Sequence, residues 1–240
     1  MFLRKWEDLP ENMQTPEVRQ YYIILKKHKF SIAVKRFFDI LVALILLVFL
    51  SLPMAIIAIL ILFDSPGGVF YCQTRVTTYG KEFRIHKFRT MVANADRIGT
   101  QVTVKHDSRI TKTGAILRRY RLDELPQLLD VLAGNMSFVG TRPEVIKYVN
   151  AYTNEMMATL LLPAGITSEA SIRYKDEDRL LDSAKDVDAT YIKSILPAKM
   201  KYNLQAIQNF NFWNDIATMI RTIFAVLGKN YNDNGWQERK

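Results

Sequence analysis

Residues 118–129 read Arg118-Arg119-Tyr120-Arg121-Leu122-Asp123-Glu124-Leu125-Pro126-Gln127-Leu128-Leu129. Adjacent carboxylates that follow a cluster of arginines suit phosphoryl chemistry. The arginines hold both acids ionised and attract a phosphate. Paired carboxylates are hard oxygen ligands for a magnesium ion that arrives on a diphosphate. An ionised aspartate can also attack phosphorus and form an aspartyl-phosphate-type intermediate. A plainer role is structural. Pro126 is tolerated only in the first turn of a helix, which predicts a helix from about residue 123, with Asp123 as N-cap and Glu124 complementing the dipole.

Other reactive side chains carry less. Cys72 is the single cysteine, so no internal disulfide can form, in keeping with a reducing cytoplasmic face. It reads as a small packing residue. His28, His86 and His106 have no metal-ligand spacing and read as incidental surface residues.

The acidic pair must be carried by a chain with an unusual distribution of apolar residues. Ile40 to Phe63 runs 24 residues without a charge. At ~1.5 Å per residue such a helix reaches roughly 36 Å, enough for a ~30 Å hydrocarbon layer. It starts too far from the N-terminus and is too long for a cleaved signal peptide. The net charge is +9, and both flanks of the segment are basic. Translocating either flank runs against the positive-inside rule. Pro53, with Ser51 bonding back to the preceding turn, offers a way out: a re-entrant helix–break–helix that enters from the cytoplasm and returns there. A kinked single span is the alternative. Lys35 and Arg36 sit at the mouth of the segment, where cations meet lipid phosphates.

Elsewhere, Val18, Tyr21, Tyr22 and Leu25 recur at helical spacing. Their helix lies on a lipid surface or packs on the main domain. Val69–Cys72 and Phe83–Phe88 read as strands of a hairpin with Tyr79-Gly80-Lys81 between them. Apolar positions from Leu117 to Leu132 give a helix stopped by Gly134, and residues 140–143 and 162–167 read as loops. Residues 176–194 carry mixed charge at helical spacing. A last helix bears the stripe Trp213, Ile216, Ala217, Ile220, Ile223, Phe224 and Leu227, which is either core or membrane-surface. The expected architecture is α+β, mainly helical: a monotopic membrane protein with a re-entrant helix–break–helix and a small β-hairpin in its cytoplasmic catalytic domain. Its expected parts are an interfacial segment (1–34), the re-entrant helix (35–64), the catalytic domain with interfacial helices (65–228) and a disordered polar tail (229–240).

An ordered series of motifs carries a family resemblance. It starts with Lys35-Arg36-Phe37-Phe38-Asp39, the apolar segment with Ser51 and Pro53, and Asp64-Ser65-Pro66-Gly67. Gln73-Thr74-Arg75, Lys87-Phe88-Arg89-Thr90-Met91 and Leu122-Asp123-Glu124-Leu125-Pro126-Gln127 follow. Asn135-Met136-Ser137-Phe138-Val139-Gly140, leading into Arg142-Pro143-Glu144, completes it. From Lys35 to Leu227 the chain resembles the bacterial sugar transferase family, the monotopic phosphoglycosyl transferases that start surface-glycan assembly. The resemblance implies a re-entrant hairpin and an enzyme that moves a sugar phosphate from a UDP-sugar to polyprenyl (undecaprenyl) phosphate, releasing UMP and requiring Mg2+. Carried over, Asp123 is the nucleophile, Asp123 and Glu124 meet the metal, and Glu124 helps with metal binding or proton handling. Arg142 pairs with phosphate oxygens in the bidentate way an arginine permits. Arg75, Lys87, Arg89, Arg118 and Arg119 are the further phosphate-binding candidates, each of the strand cations equally satisfied as a solvated charge.

The sequence also departs from the family pattern. Thr141-Arg142-Pro143 stands where Pro-Arg-Pro is usual, and Leu52 separates Ser51 from Pro53. The family's Arg-Pro-Gly-Ile-Thr-Gly followed by Trp-Gln is here Leu162-Pro163-Ala164-Gly165-Ile166-Thr167-Ser168-Glu169-Ala170-Ser171. Asp188 with Tyr191 resembles a later family pattern. The implied partners are the UDP-sugar, polyprenyl phosphate, membrane lipid, downstream glycosyltransferases and a second copy of the chain, at the cytoplasmic face of a bacterial inner membrane. A membrane-anchored scaffold that has lost catalysis is the competing role. Nucleic acid is not an expected partner, because the basic charge has a sufficient lipid explanation and no recognition helix or zinc spacing occurs.

Overall fold

The apolar stretch forms one α-helix, α2 (Lys29–Asp64), preceded by α1 (Pro16–Lys27). These elements belong to a computed structural model that describes residues 3–95, 107–175, 186–228 and 231. Residues 176–185, and the polar tail apart from residue 231, lie outside the described residues. The structure is mainly helical with a small β-hairpin.

Helix α1 begins where Thr15 accepts from the Val18 amide at 3.4 Å and Pro16 occupies the first turn, and it ends on Lys26 and Lys27. Val18, Tyr21, Tyr22 and Leu25 are buried against Ala158, Leu161, Leu204 and Ile207. That face is committed to the domain rather than to lipid.

Helix α2 buries a single stripe, Ile32, Lys35, Asp39 and Ala43 toward one end and Ile57 and Ile61 toward the other. Phe37, Val48, Phe49, Leu52 and Phe63 stand exposed on its remaining surface. A bare apolar face of this length identifies the surface that meets a membrane. Pro53 lies inside the continuous helix rather than between two helices, and the helix starts at Lys29, earlier than residue 35. Ser51 Oγ donates to the Val48 carbonyl at 2.8 Å, the local back-bonding that bends helices.

Both ends of α2 are tied to the domain. At one end Arg36 donates to the carbonyls of Val131 (2.6 Å) and Leu132 (3.0 Å), while Asp39 accepts from the Phe138 amide at 3.3 Å. At the other, Asp64 accepts from the Thr113 amide at 2.9 Å, and Arg89 donates to the carbonyls of Ser65 (2.7 Å), Ile61 (3.4 Å) and Pro66.

Strands β1 (Phe70–Val76) and β2 (Glu82–Phe88) pair antiparallel with Tyr71 opposite Lys87. Their turn places Tyr79 and Gly80 at φ 58° and 76°. There follow α3 (Lys112–Arg119), a 3-10 turn (Leu122–Glu124) and α4 (Gln127–Ala133), which Gly134 stops at φ 84°. Asp130 of α4 accepts from the His86 amide at 2.9 Å and lies 2.8 Å from His86 Nδ1, fixing α4 on β2. His86 is therefore an anchor, not an incidental surface residue.

Residues 140–143 are a loop as expected, but the segment 162–167 contains a strand, which pairs with one just ahead of Gly140 in a second sheet. Strands β3 (Met136–Val139) and β4 (Ala164–Thr167) pair parallel, with Met136 opposite Ala164. Between and after them come short α5 (Ile146–Val149), α6 (Glu169–Arg173) and α7 (Val187–Thr190), a π-helical stretch (Tyr191–Ile195), α8 (Leu196–Gln208) and α9 (Phe212–Val226). The sheet needs glycine at its end: a Cβ on Gly165 would lie 2.2 Å from the Gly140 nitrogen. Gly165→Ala is expected to cost about 2–3 kcal/mol and to lower the thermal midpoint by about 5–10 °C in a melt of the purified protein. An unchanged midpoint would show that the strands separate freely.

Helix α9 faces outward. Trp213, Ile220, Ile223, Phe224 and Leu227 are exposed, so its stripe is not core. Asn211 caps the helix by accepting from the Trp213 amide at 3.0 Å. Lys35 pairs with Asp215 at 2.7 Å and Phe38 meets Phe212 edge-on at 5.4 Å, which sets α9 beside the first part of α2.

Candidate active site

The acidic pair sits where the chain reverses after α3. Arg121 adopts the left-handed conformation (φ 57°, ψ 22°), and Leu122 and Leu125 pack toward Ile57, Ile61, Phe88 and Leu117. Pro126 occupies the N-cap position of α4, so Asp123 lies a turn ahead of that helix in the 3-10 segment and caps nothing. This corrects the expected N-cap role. The fixed φ of Pro126 begins the helix by itself.

The two carboxylates live in different surroundings. Glu124 accepts from Lys87 Nζ at 2.9 Å and from Arg142 at 2.5 Å, with the second guanidinium nitrogen of Arg142 at 3.4 Å. Burial opposes its charge, but Arg142 and Lys87 outweigh it and hold the carboxyl well below the usual range. Asp123 is buried, and burial pushes its carboxyl up, helped by the charge of Glu124, while Lys87, Arg118 and Arg121 pull the other way; among the described residues no hydrogen bond reaches the carboxylate. A buried carboxylate without a protein donor is more basic, and therefore more nucleophilic, than one that is fully bonded. Burial likewise lowers the Lys87 ammonium, against the pull of Glu124.

The remaining sequence candidates separate into groups. Arg118 Nε donates to Thr90 Oγ1 at 2.9 Å and bears on Asp123 by charge. Arg119 is exposed over the Tyr120 ring. Arg75 donates to the Pro143 carbonyl at 3.1 Å and to Gln73 at 2.6 Å and 3.1 Å, so it positions the loop that carries Arg142. Arg89 lies among the carbonyls that close α2, where it is a structural clamp. Lys35 and Arg36 engage Asp215 and the end of α4.

The structure adds Lys199, which sequence reasoning missed, and joins it to Glu144 and Tyr191, which the motifs named without a site role. Tyr191 donates to Glu144 at 2.5 Å, and Lys199 Nζ donates to Tyr191 at 3.0 Å and lies 3.7 Å from Glu144. All three line the same cavity as Asp123. The signal was present on α8, where Lys199 and Asn203 interrupt the buried stripe Leu196, Met200, Leu204 and Ile207 at helical spacing. Arg121, one of the arginines ahead of the pair, also belongs to this wall.

That cavity measures about 1120 Å³. Asp123, Glu124, Lys87, Arg118 and Arg142 line one part of it, and Leu46 and Leu50 of α2 line another. Among the described residues no cluster of three or more His, Cys, Asp or Glu side chains forms a ready metal site.

The family described as bacterial sugar transferase matches residues 30–229 of this chain. The chain belongs to that family. An Aeromonas hydrophila protein, UDP-N-acetylgalactosamine-undecaprenyl-phosphate N-acetylgalactosaminephosphotransferase, is 35% identical over 197 residues, 81% of this chain and 44% of its own length. The UDP-glucose:undecaprenyl-phosphate glucose-1-phosphate transferase of Escherichia coli (strain K12) is 34% identical over 195 residues, 79% of this chain and 39% of its own length. The chain thus spans less than half the length of these two relatives. ExoY of Sinorhizobium fredii, an exopolysaccharide production protein, is 30% identical over 207 residues, 80% of this chain and 84% of its own length. The match takes in nearly all of α2, the acidic turn and α9, the elements that surround the acidic pair in this bacterial sugar transferase.

Proposed function

We propose that the chain transfers a sugar 1-phosphate from a UDP-sugar to a polyprenyl phosphate such as undecaprenyl phosphate, at the cytoplasmic face of a bacterial inner membrane. UMP is released, and downstream glycosyltransferases extend the lipid-linked sugar. One observation carries the proposal: a single cavity is lined both by Asp123 and Glu124 with their cations and by Leu46 and Leu50 of the apolar helix. A lipid phosphate and a water-soluble diphosphate can therefore meet at one carboxylate. The relatives named for UDP-N-acetylgalactosamine and UDP-glucose support the substrate class and differ in the sugar.

In this mechanism a carboxylate oxygen of Asp123 attacks the phosphorus that bears the sugar. The P–O bond to UMP breaks, and UMP leaves with the electron pair. An oxygen of polyprenyl phosphate then attacks the same phosphorus, the bond to Asp123 breaks, and the carboxylate is restored. Arg142, Lys87 and Arg118 neutralise charge on the transferring group, which is most of what phosphoryl transfer needs from a protein. Asp123 also fits a magnesium ion, since among the described residues its carboxylate carries no hydrogen bond and such an ion takes one or two carboxylates plus substrate phosphates. Glu124 is the second candidate ligand. The ion, when bound, would neutralise the diphosphate.

The deciding assay is UMP release from protein in nanodiscs with undecaprenyl phosphate, magnesium and a panel of UDP-sugars. Release with one sugar is expected. Chelation with EDTA is expected to stop it and added magnesium to restore it; turnover indifferent to chelator would remove the metal from the scheme. Silence across a broad panel with folded protein would favour the scaffold role.

The re-entrant course of α2 is part of the same proposal. What supports it is the attachment of both helix ends to one domain, through Arg36 and Asp39 at one end and Asp64 and Arg89 at the other. In a Cys72→Ser background, cysteines introduced at Lys29 and Ser65 are expected to react with an impermeant reagent from the same side. Labelling from opposite sides would establish a span.

A further inference from the structure

A second cavity, of about 380 Å³, shares no lining residue with the catalytic one. Helices α6 and α9 form the wall between them. They turn Ser171, Ile172, Thr222 and Ala225 toward the catalytic side, and Glu169, Arg173, Thr218 and Arg221 toward the other.

The second cavity has a buried polar floor. Asn203 is 6% exposed, and its side-chain nitrogen donates to the Met200 sulfur at 3.7 Å. Among the described residues its amide oxygen takes no hydrogen bond. A thioether sulfur is a weak acceptor, so the amide keeps hydrogen-bonding capacity for a ligand. The charged residues of the lining are Lys35, Arg173 and Arg221 against Glu169 and Asp215, one positive charge in excess. Lys35 faces Asp215 at 2.7 Å; Arg173 and Arg221 share Glu169 at 2.9 Å and 3.1 Å. That balance suits a ligand with one negative charge and disfavours a dianion. Asn209, Asn211 and Asn214 add hydrogen-bonding groups at the rim, which suit hydroxyls.

The cavity also has a definite place relative to lipid. Lys35 lies just ahead of the uncharged run of α2, and half-buried Phe212 and exposed Trp213 open α9 beside Asn211 and Asn214. Basic residues and tryptophan at this boundary mark headgroup depth. We propose that this cavity binds the headgroup of a monoanionic phosphodiester lipid of the phosphatidylglycerol kind. The phosphate lies toward Lys35 and Arg221, and the hydroxyl-bearing end lies toward Asn203. The site is separate from the one that takes the polyprenyl phosphate, so its test does not depend on turnover.

The full chain, purified in a neutral detergent, is mixed with phosphatidylglycerol or phosphatidylcholine, and retained lipid is counted by native mass spectrometry. One phosphatidylglycerol per chain is expected, with phosphatidylcholine lost and soluble glycerophosphoglycerol failing to compete. Arg221→Ala and Asn203→Leu should each weaken retention about tenfold, the effect of losing one charged or buried hydrogen bond. Should Asn203→Leu fail to fold, half-exposed Arg221 decides alone. Equal retention of both lipids, or retention unchanged in Arg221→Ala, would reduce the cavity to ordinary lipid contact. Effective competition by the soluble headgroup would overturn the membrane source of the ligand.

Discussion

Asp123→Asn is expected to abolish UMP release, by at least about a thousandfold or roughly 4 kcal/mol of barrier, while leaving the protein folded and membrane-bound. The size follows from the role. An amide of the same shape cannot supply the electron pair that displaces UMP, and the other carboxylate of the pair is held between Lys87 and Arg142. The preserved fold follows from the surroundings. Among the described residues no hydrogen bond reaches the Asp123 carboxylate, and burial opposes its charge, so the neutral amide breaks no hydrogen bond there and relieves a desolvation cost. The thermal midpoint should therefore hold or rise. Intact-mass measurement gives a second readout: wild type incubated with its UDP-sugar and no lipid should gain a sugar phosphate, and the variant should not. Turnover near the wild-type rate would remove Asp123 as nucleophile and turn attention to direct attack by the lipid phosphate.

Much of this arrangement was legible in the sequence wherever one physical signal dominated. The uncharged run Ile40–Phe63 announced α2, and the Tyr79-Gly80 turn announced the hairpin. The apolar positions after Leu117, stopped by Gly134, announced α4. Asp123 and Glu124 stood out because cations crowd a pair of acids. What stayed hidden depends on contacts between distant segments. Strands β3 and β4 are only four residues each, too short for an alternation to mark them; they come together because Gly165 in β4 and Gly140 just after β3 let two backbones touch. The bonds from Arg89 to the carbonyls at the end of α2 were hidden too, because charge alone does not reveal which carbonyls lie across a fold. The different characters of Asp123 and Glu124 were equally unreadable. They arise from Lys87 on β2 and Arg142 after β3, which reach one acid and not the other.

That asymmetry gives the second large expectation. Arg142→Ala is expected to lower kcat/KM about 10²–10³-fold, and Arg142→Lys to recover only part of the loss. Arg142 meets Glu124 with two nitrogens, at 2.5 Å and 3.4 Å, and a lysine has no such fork. Its removal leaves a buried Glu124 with Lys87 as the remaining direct partner among the described residues, while Arg75 still holds the loop through the Pro143 carbonyl. Two roles for Arg142 make different predictions in combination with Glu124→Gln. If Arg142 acts only by holding Glu124, the double variant is no worse than the poorer single one, because both changes break the same pair. If Arg142 leaves Glu124 to grip the transferring phosphate in the transition state, the two losses approach additivity and kcat falls further than KM rises. The mechanism proposed for this cavity requires the second outcome, since the guanidinium is needed where charge develops on phosphorus. Non-additive losses would make Arg142 a positioning residue and leave Lys87 and Arg118 as the cations that meet the phosphate.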